Sequence, residues 1–184
     1  MYSDGVERAL RAALEAHDGQ IRKGADAVPY VTHPVHVALI LARWGQDEAV
    51  IQAGILHDVV EDCEGWTLER VAEEFGETVA ALVAPLTEDK SLGWADRKQA
   101  TIEGVTEMPR EAAAIQAADK LHNLRSLLGD LELAADPEEV WCRFRGGREA
   151  TLAVAESLIQ ALEERLDPVM TASLRRTLEA LRAQ

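Results

Sequence analysis

A chain of 184 residues is long enough to bury a real core as one domain, and its balance of 47% hydrophobic to 28% charged residues excludes a disordered polymer. The net charge of −14 argues against non-specific binding to nucleic acid or an anionic membrane, and it requires a local basic cluster for any anionic substrate. No apolar run approaches the roughly 20 residues of a membrane span, Asp4, Glu7, Arg8 and Arg11 speak against a signal peptide, and Cys63 and Cys142 read as reduced thiols of a cytoplasmic protein.

Ala, Leu, Glu and Arg dominate and strand-type alternation is nearly absent, so an all-α fold is expected. Val6, Leu10, Ala13 and Leu14 recur at helical spacing and define a first amphipathic helix ending near Asp18-Gly19. A loop follows, with Gly24, Asp26 and Pro29 as its breakers and Arg22-Lys23 side by side at its start. Thr32 is placed to cap a second helix that has Pro34 in its first turn and runs to Trp44-Gly45. Gln46 or Asp47 opens a central helix that ends around Cys63-Glu64-Gly65.

Thr67 should cap a short helix to Phe75, stopped by Gly76, and another should run from Glu77 to Leu86. Trp94 to Met108 reads as helical and is closed by Pro109. Glu111 to Leu128 is a second long apolar helix, followed by a loop from Gly129 to Pro137. Val140 to Gly147, a long helix from Arg148 to Leu166, and a terminal helix from Val169 to Leu181 complete one domain over residues 1–184. The apolar face of the terminal helix is a candidate homo-oligomer interface.

Polar residues inside the two apolar helices carry the functional signal. In Gly54-Ile55-Leu56-His57-Asp58-Val59-Val60-Glu61-Asp62, His57 and Glu61 lie within roughly 40° of each other around a helix axis, as do Asp58 and Asp62. Charge buried there is costly without a metal or a hydrogen-bonded partner. Asp119, Asn123 and Ser126 fall on one stripe of the second helix, and Asp is a poor helix former that needs a reason in such a setting. His33, His57, Asp58 and Asp119 are potential ligands from three segments, with His36 the alternative to His33. Two imidazoles and two carboxylates suit Mn²⁺, Fe²⁺ or Zn²⁺ better than Ca²⁺, and the absence of thiolates argues against a structural zinc centre.

Taken together, His33-Pro34, the stretch from Ile55 to Asp62, and the stretch from Ala118 to Leu127 resemble the HD phosphohydrolase superfamily. With Arg22-Lys23 and Pro29-Tyr30 ahead of them, they look like the hydrolase domain of RelA/SpoT-type proteins and the small alarmone hydrolases. The resemblance covers about residues 6–165 and implies a Mn²⁺-dependent enzyme that removes pyrophosphate from the 3′ position of (p)ppGpp. It implies His33, His57, Asp58 and Asp119 as the Mn²⁺ ligands, and Glu61 and Asp62 as the groups that orient and activate water. Arg22 would lie against the base, with Lys23, Asn123 and Ser126 near ribose and phosphates, and Lys90, Arg97 and Lys98 are candidates for a basic rim. The segment Trp141 to Gly147 departs from several small alarmone hydrolases in lacking a tyrosine, so (p)ppApp or another phosphorylated nucleotide is the alternative substrate. No length remains for a synthetase domain, so degradation alone is expected.

Overall fold

Segments rich in Ala and Leu, without strand alternation, are dictated to coil into helices. The structure, a computed structural model, describes residues 3–24 and 27–184; Asp26, expected in the first loop, lies outside them. Among the described residues there are eleven α-helices and one 3-10 turn, with no strand beyond a single bridge between Ile21 and Pro29. None of these helices is long and apolar enough to cross a membrane.

Helix α1 (Asp4–Ala16) starts where the Ser3 hydroxyl accepts a hydrogen bond from the Val6 N–H at 3.1 Å. Helix α2 (Thr32–Arg43) buries His33, Pro34, Val37, Ala38 and Leu41. Thr32 is its first residue rather than its cap, and its hydroxyl donates to the Pro29 carbonyl at 2.8 Å. Helix α3 (Glu48–Leu56) crosses α2 at Gly54, where a Cβ would stand only 2.4 Å from Leu41 Cδ1. The glycine therefore sets how closely the two helices approach.

The central helix is not continuous. It stops at Leu56, and a short α4 (Val59–Asp62) begins after a turn at His57-Asp58. The reason is geometric: adjacent side chains on an ideal helix diverge by about 100°. Here His57 Nε2 and Asp58 Oδ2 converge to 3.2 Å, with Asp58 at φ −94°, ψ −12°. Breaking the ladder lets two consecutive residues face one point.

Helix α5 (Leu68–Phe75) is capped by Thr67, which accepts from the Arg70 N–H at 3.2 Å, and Gly76 at φ +95° turns the chain into α6 (Glu77–Val83). The 3-10 turn Ala84–Leu86 follows. Helix α7 (Trp94–Gly104) ends earlier than expected, because residues 105–107 form a turn that buries Val105. Helix α8 (Arg110–Leu133), about 36 Å long at 1.5 Å per residue, runs straight through Gly129 instead of stopping there. Leu131 extends the buried stripe of Leu124, Leu127 and Leu128, and that packing outweighs the glycine's preference for a helix end.

Asp136 accepts from the Glu138 N–H to start α9 (Pro137–Trp141) three residues before the expected point. Helices α10 (Gly147–Glu163) and α11 (Pro168–Arg182) close the fold. Leu174, Leu178 and Leu181 of α11 are fully buried, and the helix packs on α8 and α10. The stripe offered as an oligomer interface is thus spent inside the chain.

Candidate active site

Three elements deliver the polar cluster. His33 comes from the first turn of α2, His57 and Asp58 from the break between α3 and α4, and Asp119 from the middle of α8. His33 Nε2 lies 3.3 Å from His57 Nε2, 3.5 Å from Asp58 Oδ2 and 3.1 Å from Asp119 Oδ1. His57 Nε2 lies 3.8 Å from Asp119 Oδ1. Donors about 2.1 Å from a shared cation, at octahedral or tetrahedral angles, would stand roughly 3.0–3.4 Å apart; the contacts of 3.1, 3.2 and 3.3 Å match that range, and those of 3.5 and 3.8 Å lie just beyond it. Both imidazoles are buried, and His33, His57 and Asp58 alone already form a group able to hold a metal.

The electrostatics agree. Burial alone would depress His57, yet the Asp58 and Asp119 carboxylates outweigh it and push the imidazole up to about 9. Burial would likewise raise Asp119, but hydrogen bonds from His33 and His57 hold it well below the ordinary carboxylate range. The cluster is a buried negative well that takes up positive charge.

The clustered side chains are themselves held. The Tyr30 hydroxyl donates to Asp58 Oδ2 at 2.6 Å, and burial first, then the Asp58 charge, keeps that phenol protonated far above its ordinary range. His57 donates through Nδ1 to the Gly54 carbonyl at 2.8 Å. Asn123 donates to Asp119 Oδ1 at 2.6 Å and accepts from Arg22 Nη2 at 2.9 Å. His33 Nδ1 lies 2.8 Å from His122 Nδ1. Burial, then the positive fields of His33, Arg22 and His36, lowers His122 to about 3, so it stays neutral.

The cluster opens into a cavity of about 310 Å³ that also takes in Lys23, Glu61, Asp62, Lys98 and Asn123. Burial lifts the Glu61 carboxyl above its ordinary value, with Asp62 and Glu88 adding to the rise against the Glu88 N–H, which donates to Glu61 Oε2 at 3.2 Å. Lys90 grips Asp62 Oδ1 and the Glu61 carbonyl, each at 2.6 Å. Lys90 and Arg97 line neither this cavity nor the next. Arg97 Nε faces Glu88 Oε2 at 3.4 Å, and Lys98 Nζ meets Glu88 Oε1 at 2.5 Å.

A second cavity, about 490 Å³, adjoins the first through Lys23, Tyr30, Asp62, Lys98 and Asn123. Ser126 lines it, as do Arg22, Lys120 and Arg145 and the rings of Trp94 and Phe144. This is the local basic cluster that the acidic composition demanded. Arg22 is not free in its wall: besides its bond to Asn123, its guanidinium lies 5.5 Å from the Tyr30 ring centroid.

Sequence reasoning gave no role to Tyr30, Glu88, Gln116, Lys120, His122, Trp94, Phe144 or Arg145. One signal was within reach: the stripe of 119, 123 and 126 extends back by i−3 to Gln116, which also lines the first cavity. Trp94 opens α7, and the others come from loops or from the flank of α8, where periodicity carries no information.

The chain matches the HD domain family over residues 9–151. It is 43% identical to a zebrafish (Danio rerio) guanosine-3′,5′-bis(diphosphate) 3′-pyrophosphohydrolase over 117 residues, 62% of this chain. That alignment spans 64% of the relative, less than two thirds of its length. A Xenopus tropicalis protein of the same name is 40% identical over 131 residues, covering 69% of this chain and 73% of that one. The structure of a metazoan SpoT ortholog, described as hydrolysing ppGpp, superposes with a TM-score of 0.83 at 30% identity, over 97% of this chain and 96% of that one.

Proposed function

The chain belongs to the HD-domain family, and from that premise we propose that it removes pyrophosphate from the 3′ position of (p)ppGpp, leaving GDP or GTP. The observation that carries this reading is the convergence of His33, His57, Asp58 and Asp119 on one point, with Glu61 in the same cavity. We assign those four residues as ligands of one Mn²⁺, which the mixed nitrogen and oxygen donors suit. When bound, the cation supplies Lewis-acid polarisation of a phosphoryl oxygen and acidifies water.

The chain's own residues do the rest. Glu61, with its raised pKa and its place on the cavity wall, takes the proton from the attacking water. Asp62, held by Lys90, orients that water. The water oxygen bonds to the phosphorus attached to O3′, the P–O3′ bond breaks, and O3′ leaves as a hydroxyl with the proton that Glu61 took from the water and gives up. Lys23 and Lys98 stabilise charge developing on the phosphate oxygens. Asn123 and Ser126 are assigned to ribose and phosphate, and Arg22 to the base, in the adjoining cavity. We assign the reaction to the cytoplasm, a reducing compartment in which Cys63 and Cys142 would stay thiols.

Protein loaded with Mn²⁺ should release pyrophosphate from ppGpp and leave GDP. Intact metal binding without those products refutes the reading. A second reading rests on Phe144, which presents a ring without a hydroxyl to the second cavity. On that reading (p)ppApp or another phosphorylated nucleotide is the better substrate, and a guanine-against-adenine panel separates the two.

A further inference from the structure

The two imidazoles of the cluster are backed by different groups. His57 donates through Nδ1 to a backbone carbonyl, which can only accept. His33 instead presents Nδ1 to another imidazole nitrogen, His122 Nδ1, at 2.8 Å. His122 Nε2 in turn lies 3.1 Å from His36 Nδ1, and His36 is exposed on α2. Three imidazoles thus form a file from the cluster to the surface, with ring centroids 4.8 Å and 4.9 Å apart.

A neutral imidazole carries one N–H, so fixing one ring in such a file fixes all of them. His33 turns Nε2 towards His57, Asp58 and Asp119, and that nitrogen must keep its lone pair to act as a ligand. With a metal held on Nε2, the His33 proton would sit on Nδ1 and be donated to His122 Nδ1. His122 then carries its own proton on Nε2 and donates it to His36 Nδ1, which leaves the His36 proton on Nε2, facing water.

We propose that His122, backed by His36, is a positioning residue that locks His33 in the tautomer able to bind the metal. Neither residue touches the reacting atoms. The inference rests on the assignment of His33 as a ligand under the proposed function, and its test reads metal affinity rather than turnover. An outer partner of a ligating imidazole typically contributes about 10- to 100-fold in metal affinity.

The experiment is Mn²⁺ titration by calorimetry of the wild-type chain, His122→Leu and His122→Asn, with circular dichroism to compare folds. Leucine removes the acceptor, whereas asparagine places its Oδ1 where His122 Nδ1 stands. His122→Leu should weaken Mn²⁺ binding by about 10- to 100-fold, and His122→Asn should stay within about threefold of wild type. Mn²⁺ binding by His122→Leu as tight as wild type overturns the relay and leaves the hydrolase reading intact. Wild-type protein that binds no Mn²⁺ overturns both. Should His122→Leu fail to fold, two-bond ¹H–¹⁵N imidazole spectra of the wild type loaded with diamagnetic Zn²⁺ decide the matter. A His122 proton on Nε2 supports the relay, and a proton on Nδ1 overturns it.

Discussion

Burial lifts the Glu61 carboxyl, and the neighbouring charges of Asp62 and Glu88 add to the rise, which brings this side chain closer to the working pH of a general base. Only the carboxylate accepts a proton, so activity should fall as pH drops through the raised Glu61 value. With Mn²⁺ saturating, the acid limb of kcat should therefore lie above the ordinary glutamate value of 4.5. Glu61→Gln should bind Mn²⁺ as wild type does, lose turnover by about 10²- to 10⁴-fold and lack that limb. A Gln variant with wild-type kcat would assign the proton transfer to another group. Asp119→Ala removes a donor that faces both imidazoles and should abolish Mn²⁺ binding, read by calorimetry on protein whose circular dichroism is unchanged.

Between elements, the contact that matters most for the site is α2 against α3, because it sets His33 beside His57. Gly54 permits that approach: an added Cβ would lie 2.4 Å from Leu41 Cδ1 and 3.4 Å from Val37 Cγ1. Alanine would gain about 1 kcal/mol of helix propensity, but overpacking a fully buried Leu41 opposes it with about 1–3 kcal/mol. Gly54→Ala should therefore lower stability by up to about 2 kcal/mol in urea unfolding. Leu41→Val in the same chain should recover part of that loss, since it removes the clashing Cδ1 methyl. An alanine variant more stable than wild type would show that α2 and α3 part freely.

At the scale of the whole molecule, α8 is the member that the others lean on, and α11 packs along it. Leu178 of α11 is fully buried, so Leu178→Ala should cost about 2–5 kcal/mol and lower Tm by about 2–4 °C for each of them. Mn²⁺ affinity below the transition should be unchanged, because Leu178 reaches neither cavity. A loss of metal binding in the folded variant would couple the terminal helix to the site. The charge distribution also belongs to this scale. A chain of net charge −14 gathers Arg22, Lys23, Lys98, Lys120 and Arg145 around one cavity, against Asp62 and Asp130 in the same wall, which sets the place where the proposed anionic nucleotide would meet a favourable field.

What the sequence determined by itself was whatever depends on neighbours three and four positions apart. The helical class, the Thr67 cap, the Gly76 stop and the stripe of Asp119, Asn123 and Ser126 all follow from such spacing, as does the chemistry of a buried His and Asp set. The resemblance of the motifs then pointed to the family that the comparisons show. Only the tertiary structure decided the break at His57-Asp58, which arises because two adjacent donors are drawn to one point by partners on α2 and α8. It alone decided that Gly129 stays helical, that Lys90 and Arg97 are taken up by acids, and that His122 backs His33. These outcomes rest on contacts between residues far apart in the chain, whose energies exceed the local preferences a sequence displays.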